Sequence, residues 1–288
     1  MILFLQSVLS GVLVGGVYAL IGIGLTLIFG VMRVINFAHG ELVMLGMYAT
    51  WLLFTRLGWD PYLSIVVVAP LLFLWGATLQ VGVIDRVLGA LPQNQILLTI
   101  GLGLVMSNAV MLKYTSDYQI LTTSYSSSSF DLRGLSVSEP LLISFVITVA
   151  ITVALVLFLL KTDTGQAIRA TAQDREAAQL MGINVQRMSV LAFGLGAALA
   201  GTAGALVSPT YYIFPQVGSA FTLKAFVIVV LGGMGSVAGA TLGGILIGVT
   251  ESLAAVYVAG GLKELVVFVL FLVLLLVKPS GLLGKTRA

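Results

Sequence analysis

The chain offers few residues able to do covalent chemistry. It has a single histidine, His39, and no cysteine, which removes disulfides, thiol nucleophiles and zinc sites built from several His or Cys ligands. No Ser and Asp accompany His39 in a pattern suited to a Ser-His-Asp set, so no catalytic residue and no metal ligand is expected. The tail "GLLGKT" ends in a Gly-Lys-Thr that invites a phosphate-loop reading. A Walker A loop needs four residues between its glycines, and Pro279 stands where the first would be. No nucleotide site is expected here. What remains are isolated polar groups in apolar surroundings: Asn36, Phe37, His39 and Glu41 in "VINFAHGEL", then Thr99, Ser107 and Asn108, and further on Lys224 and Glu251, which could pair.

The elements that must position these groups are set by the composition. Of 288 residues, 59% are hydrophobic and 9% charged, with a mean hydropathy of +1.12; soluble domains hold roughly 45–50% apolar residues. Apolar runs of about 18 or more residues cross a bilayer as helices. Such runs fall at about 5–31, from Phe37 to before Arg56, and at 61–84, 95–113, 141–160, 189–208, 237–258 and 262–277. Residues 220–234 make either a short span or a re-entrant hairpin broken at "GGMGS". The fold class expected is therefore an all-α polytopic membrane protein of 8–9 transmembrane helices, a single domain over 1–288. The net charge of +3 gives no basic patch for nucleic acid. No Lys or Arg precedes Arg33, so the amino terminus lacks the charged leader of a signal peptide and is expected to stay as the first span.

Orientation follows from Lys and Arg, which collect on the cytoplasmic side. Lys161, Arg169, Arg175 and Arg187 surround the polar island 162–188, and Lys278, Lys285 and Arg287 occupy the tail. Both are expected inside. The Ser-rich segment 114–139 carries one Arg against Asp117, Asp131 and Glu139 and reads as a flexible external loop. The amino terminus then lies outside, and "VINFAHGEL" lies near the inner surface.

Ionisable groups at membrane depth are costly and face cavities or partners. For Asn36, Phe37, His39, Thr99, Ser107 and Asn108 two readings stand together: hydrogen bonding or capping inside the fold, or the lining of a path. Small residues recur every four positions at Gly235, Gly239 and Gly243, at Gly244 and Gly248, and at Gly196, Ala200 and Gly204, a pattern that lets helices approach closely within or between subunits.

Within the island, "DREAAQLMG" specifies a short helix. Asp174 can cap its first turn, Glu176 suits the positive end of the helix dipole, and Gly182 can take the left-handed conformation that ends it, with Ile183 folding back. A preceding stretch, "GQAIRATAQ", is also helix-compatible. The residues alone fit a solvated loop, an amphipathic helix on headgroups, or a docking lever.

The Glu176-Ala177-Ala178 triplet followed by Gly182 resembles the EAA motif of the coupling loop in ABC importer permeases. The wider "TGQAIRATAQDREAAQLMGINVQRMSVLAFGLGAALAGTAGAL", with "GLTLIFGVMRVINFAHGELVMLGMY" and "LGGMGSVAGATLGG", resembles the branched-chain amino acid permeases of the LivH type over nearly the whole chain. One departure is the missing Ile-x-Leu-Pro after the EAA motif, where the chain reads "INVQRMSVLAF". The resemblance implies a permease of the bacterial inner membrane for Leu, Ile or Val, not itself an enzyme. Its implied partners are a second homologous permease, two ABC ATPases that bind ATP and Mg, an extracytoplasmic solute-binding protein and membrane lipid. It also implies a coupling role for Thr164, Gly165, Arg169, Asp174, Glu176, Ala177, Ala178 and Gly182. Two alternatives share these features: an ABC permease for urea or short amides, and an ion-coupled secondary transporter with broken helices.

Overall fold

The computed structural model describes residues 1–132, 134–258 and 260–284. Arg133 of the segment 114–139, and Lys285, Thr286 and Arg287 of the tail, lie outside the described residues.

Backbone amides in hydrocarbon must be satisfied within the segment, and the chain does this with helices. Their order is α1 (Ile2–Met32), α2 (His39–Leu57), α3 (Ile65–Gly82), α4 (Pro92–Tyr114), a hairpin of β1 (Ser129–Leu132) and β2 (Leu135–Ser138), α5 (Glu139–Lys161), α6 (Asp163–Gln173), α7 (Arg175–Leu180), α8 (Val185–Val207), α9 (Val217–Gly232), α10 (Val237–Tyr257) and α11 (Lys263–Val277). Among the described residues seven stretches are long and apolar enough to cross a membrane: α1, α4, α5, α8, α10, α3 together with the turn that carries it on to Val87, and α11 together with the turn that precedes it from Gly260. The sixteen-residue α9 is apolar but shorter. With α2 they form a multi-pass all-α bundle.

Long-range contacts identify two ends. At one, Gln6 near the start of α1 bonds both backbone groups of Ser136 in β2, Tyr62 donates to the Pro140 carbonyl at 2.8 Å, and Gln119 pairs through its backbone with Ile213. At the other, Gly30 of α1 faces Ala172 of α6 and Gly235, Gln186 of α8 bonds Asp85 after α3, and Leu282 and Leu283 donate to Leu231 and Gly232 at the end of α9. We call these the hairpin end and the α6–α7 end.

The segment 114–139 is more ordered than its composition promised. Ser129–Leu132 and Leu135–Ser138 pair in antiparallel register, Ser129 opposite Ser138, with Gly134 at φ 84° in the turn. Tyr125 donates to Asp60 at 2.6 Å; burial, with that carboxylate accepting its proton, raises the phenol above its ordinary range, so it stays a donor. The alternation needed to recognise a strand is too short in four-residue pieces.

Helices α1 and α8 form the centre. Small residues set their contacts: a Cβ on Gly15 would lie 2.7 Å from the Ile245 Cα of α10, and one on Gly24 would lie 2.8 Å from the Gly196 carbonyl of α8. Gly244 and Gly248 press on Ala19, Gly11 and Gly15, Gly239 on Gly232, and Gly243 on the Ile228 carbonyl, all at backbone contact distance. Gly235 departs from the helical spacing read from sequence. It stands before α10 in the turn with φ 88°, with only the Gly30 Cα near its missing side chain, so it is not on the α10 ridge.

Candidate functional site

The largest difference from the sequence reading is where α2 starts. Helix α1 ends with Arg33 in the left-handed region, φ 56°, its N–H bonded to the Phe29 carbonyl. The chain then turns back along α1, and His39 Nε2 reaches the Ile21 carbonyl at 3.0 Å. Ile21 lies eleven residues before Met32, about 16 Å at a rise of ~1.5 Å per residue. "VINFAHGEL" therefore does not sit at the surface of the α6–α7 end: residues 33–38 re-enter the bundle, and α2 begins partway up α1. The local pattern gives no sign of this, because the contact that fixes it spans 18 residues.

Each polar group there has a positioning role. A carbonyl only accepts, so His39 Nε2 carries the proton, and the ring braces the re-entrant segment against α1. Asn36 Oδ1 accepts from Ala38 N at 3.0 Å, a local turn that substitutes for helical hydrogen bonding. Thr99 donates to the Ile35 carbonyl at 3.2 Å and so ties the segment to α4. Thr222 of α9 accepts from Gly40 N at 3.0 Å, with its proton between the Phe37 and Gly218 carbonyls at 3.2 and 3.1 Å. The half-buried Phe37 ring stacks on Phe226 of α9, centroids 5.9 Å apart.

Asn36, Phe37, His39 and Thr99 thus come together, whereas Ser107 and Asn108 do not join them. Both donate to the Leu104 carbonyl of their own helix, and Asn108 is exposed on the outer side of α4. Glu41, Gly103, Gly218, Thr222 and Phe226 complete the cluster. Of these, the sequence drew attention only to Glu41; the spacing of Gly218, Thr222 and Phe226 at four-residue steps along α9 was the available signal.

Asn36 Nδ2 and His39 Nδ1 are buried without a hydrogen bond, but each of those side chains has a partner at its other polar atom; the Glu41 side chain has none among the described residues. Its side chain lies between Gly103 of α4, 3.5 Å from a Cβ there, and Gly218 of α9, whose Cβ would fall on the carboxylate. Oε2 is buried with no hydrogen bond, and among the described residues the ion pairs found involve Glu251 alone.

A second polar cluster lies nearer the hairpin end. Glu251 of α10 accepts from Lys224 of α9 through both oxygens at 2.9 Å and pairs with Lys263 at 3.1 Å; Lys224 also donates to Tyr18, which bonds Tyr211 at 2.7 Å.

At the opposite end, the island forms the two helices its sequence specifies. Thr162 accepts from Gly165 N at the start of α6, and Asp174 Oδ1 accepts from Glu176 N and Ala177 N, each at 3.0 Å, at the start of α7. Gly182 follows at φ 83°, with Gly182 N bonded to the Gln179 carbonyl and Ile183 N to that of Ala178. Gly165 has no space for a side chain, since a Cβ would meet the Leu159 Cα at 2.6 Å, and Ile168 is buried. Thr164, Arg169, Glu176 and Ala177 are exposed while Ala178 is buried. Leu180 and Met181 are 89% and 82% exposed. Two large apolar side chains thus stand exposed at the tip of a capped, seated element.

A family described as the branched-chain amino acid transport system permease component matches residues 7–277. The high-affinity branched-chain amino acid transport permease BraD of Pseudomonas aeruginosa is 34% identical over 98% of this chain and 96% of its own length. The corresponding LivH of Escherichia coli is 32% identical over 98% and 96%. LivM of Escherichia coli is 35% identical over 45% of this chain and 30% of itself. No solved structure matches.

Proposed function

The chain belongs to the family of branched-chain amino acid transport permease components, and we propose that it forms part of the membrane path of an importer for Leu, Ile and Val. The names carried by BraD and LivH favour this over urea or short amides. ATP and Mg are handled by two separate ATPases, a second permease related to LivM completes the path, and a solute-binding protein delivers substrate at the hairpin end. The α6–α7 end faces the cytoplasm, in keeping with the Lys and Arg placed there.

The observation that carries this reading is the exposed Leu180–Met181 tip on a rigid support. An ATPase dimer gripping α7 moves α6 with it, because Gly165 is wedged on α5 and Ala172 faces Gly30 of α1. The end of α1 runs directly into residues 33–38, so displacement there reaches the Phe37–Phe226 stack. The bundle then exchanges between two packed arrangements rather than bending continuously.

The test is uptake of labelled leucine into vesicles holding the full complex. ATP-dependent accumulation, competed by isoleucine and valine but not by urea, is the expected result. Accumulation that follows an ion gradient and ignores ATP would contradict it.

A further inference from the structure

A carboxylate inside an apolar bundle is stable only if it is protonated, paired or supplied with a cation from elsewhere. Glu251 has two lysines. Glu41 has none: Oε2 is buried without a hydrogen bond, and the residue is 7% exposed. The backbone amides nearest it in the chain are engaged elsewhere. The amide of Gly40 is taken by Thr222, that of Glu41 by the Ala38 carbonyl and that of His39 by the Asn36 carbonyl. Two glycines, Gly103 and Gly218, flank it and place no side chain against it. Along α9, Gly218, Thr222 and Phe226 follow at four-residue steps, so Phe226, which stacks on Phe37, lies two turns beyond Gly218, about 12 Å of helix rise.

We propose that Glu41 is the counter-charge for the substrate's ammonium group within the membrane path, with the Phe37–Phe226 stack two turns further along α9 forming an apolar stretch of the same path. A branched-chain amino acid is cationic at one end and apolar at the other, so its path needs both kinds of surface. This rests on the reading of the chain as an amino acid permease. The carboxylate forms no covalent bond; it exchanges one ammonium for the next as substrate passes.

The experiment uses the complex with its partner permease and ATPases. Leucine turnover at saturating binding protein is expected to fall at least tenfold in Glu41→Gln and to recover in part in Glu41→Asp. A Glu41→Gln complex that carries leucine at the wild-type rate would overturn the proposal, as expected of a carboxyl that is merely protonated and structural. Should that variant fail to assemble, the wild type decides. With binding protein omitted, dicyclohexylcarbodiimide modification of Glu41, read by mass spectrometry, should be slowed several-fold by leucine and not by 4-methylpentanoate, which lacks the amine. Equal effects of the two, or none, would overturn the proposal. Loss of leucine uptake in the wild type would instead count against the function reading; any other amine the complex carries then replaces leucine in the labelling, and a carried solute without an amine would overturn both.

Discussion

Glu251 on α10 holds Lys224 on α9 through both carboxylate oxygens, and the same carboxylate receives Lys263 from the start of α11. One acidic group therefore ties together three helices. Removing one partner of a buried pair can cost up to about 3–5 kcal/mol, because the other charge is left without compensation.

The partners are unequal, which gives a graded expectation. Glu251→Gln strands Lys224, whose side chain is 14% exposed, whereas Lys224→Met leaves Glu251 with Lys263, 38% exposed and able to reach water. Thermal inactivation in detergent, followed by size-exclusion chromatography, should show the larger drop for Glu251→Gln. The reverse order would show that the pair does not set stability.

The glycine contacts predict a second contrast. Gly15→Val drives a side chain into the backbone of α10, so the chain should fail to accumulate in membranes. Gly239→Val should do the same against Gly232. Gly235→Ala makes only an ordinary contact with the Gly30 Cα at 3.9 Å and carries the strain of a left-handed residue, roughly 1–2 kcal/mol, so its membrane level should be near normal. Quantitative blotting of membrane fractions distinguishes them.

Coupling is tested at the end of α7. Gly182 has φ 83° and no atom within 4 Å of a built Cβ, so a substitution acts through the backbone alone. Gly182→Val is expected to insert normally yet to lower leucine carried per ATP hydrolysed. Wild-type stoichiometry in that variant would remove the lever from the account.

Leu180→Asp and Met181→Asp place charge on the exposed tip without touching the core. Mild detergent extraction should then yield this chain and its partner permease with the ATPases lost. Full co-purification would mean that the ATPases grip elsewhere.

How far the sequence foretold this arrangement depends on the range of the interactions involved. The ends of α7 were readable because Asp174, Glu176 and Gly182 act within a few residues, and the long helices because about twenty apolar residues suffice to specify a span. The height of His39 was not readable, since Ile21 lies on another helix and nothing in "VINFAHGEL" encodes its depth. Gly235 leaves the pattern because a four-residue step implies a shared face only while the helix continues, and α10 starts after it. Ser107 and Asn108 are polar like Thr99, but bond their own helix rather than the re-entrant segment. The Lys224–Glu251 pair could be raised from charge alone, yet the third member, Lys263, needed the fold.

The central claim, that the α6–α7 element is where an ATP-driven motor grips the path, is tested most directly by where Glu176 lies. The chain contains no cysteine, so Glu176→Cys gives a single thiol. A membrane-impermeant maleimide should label it in inverted vesicles and not in intact cells, and bound ATPases should shield it. Labelling from outside intact cells, or no shielding by the ATPases, would contradict the account.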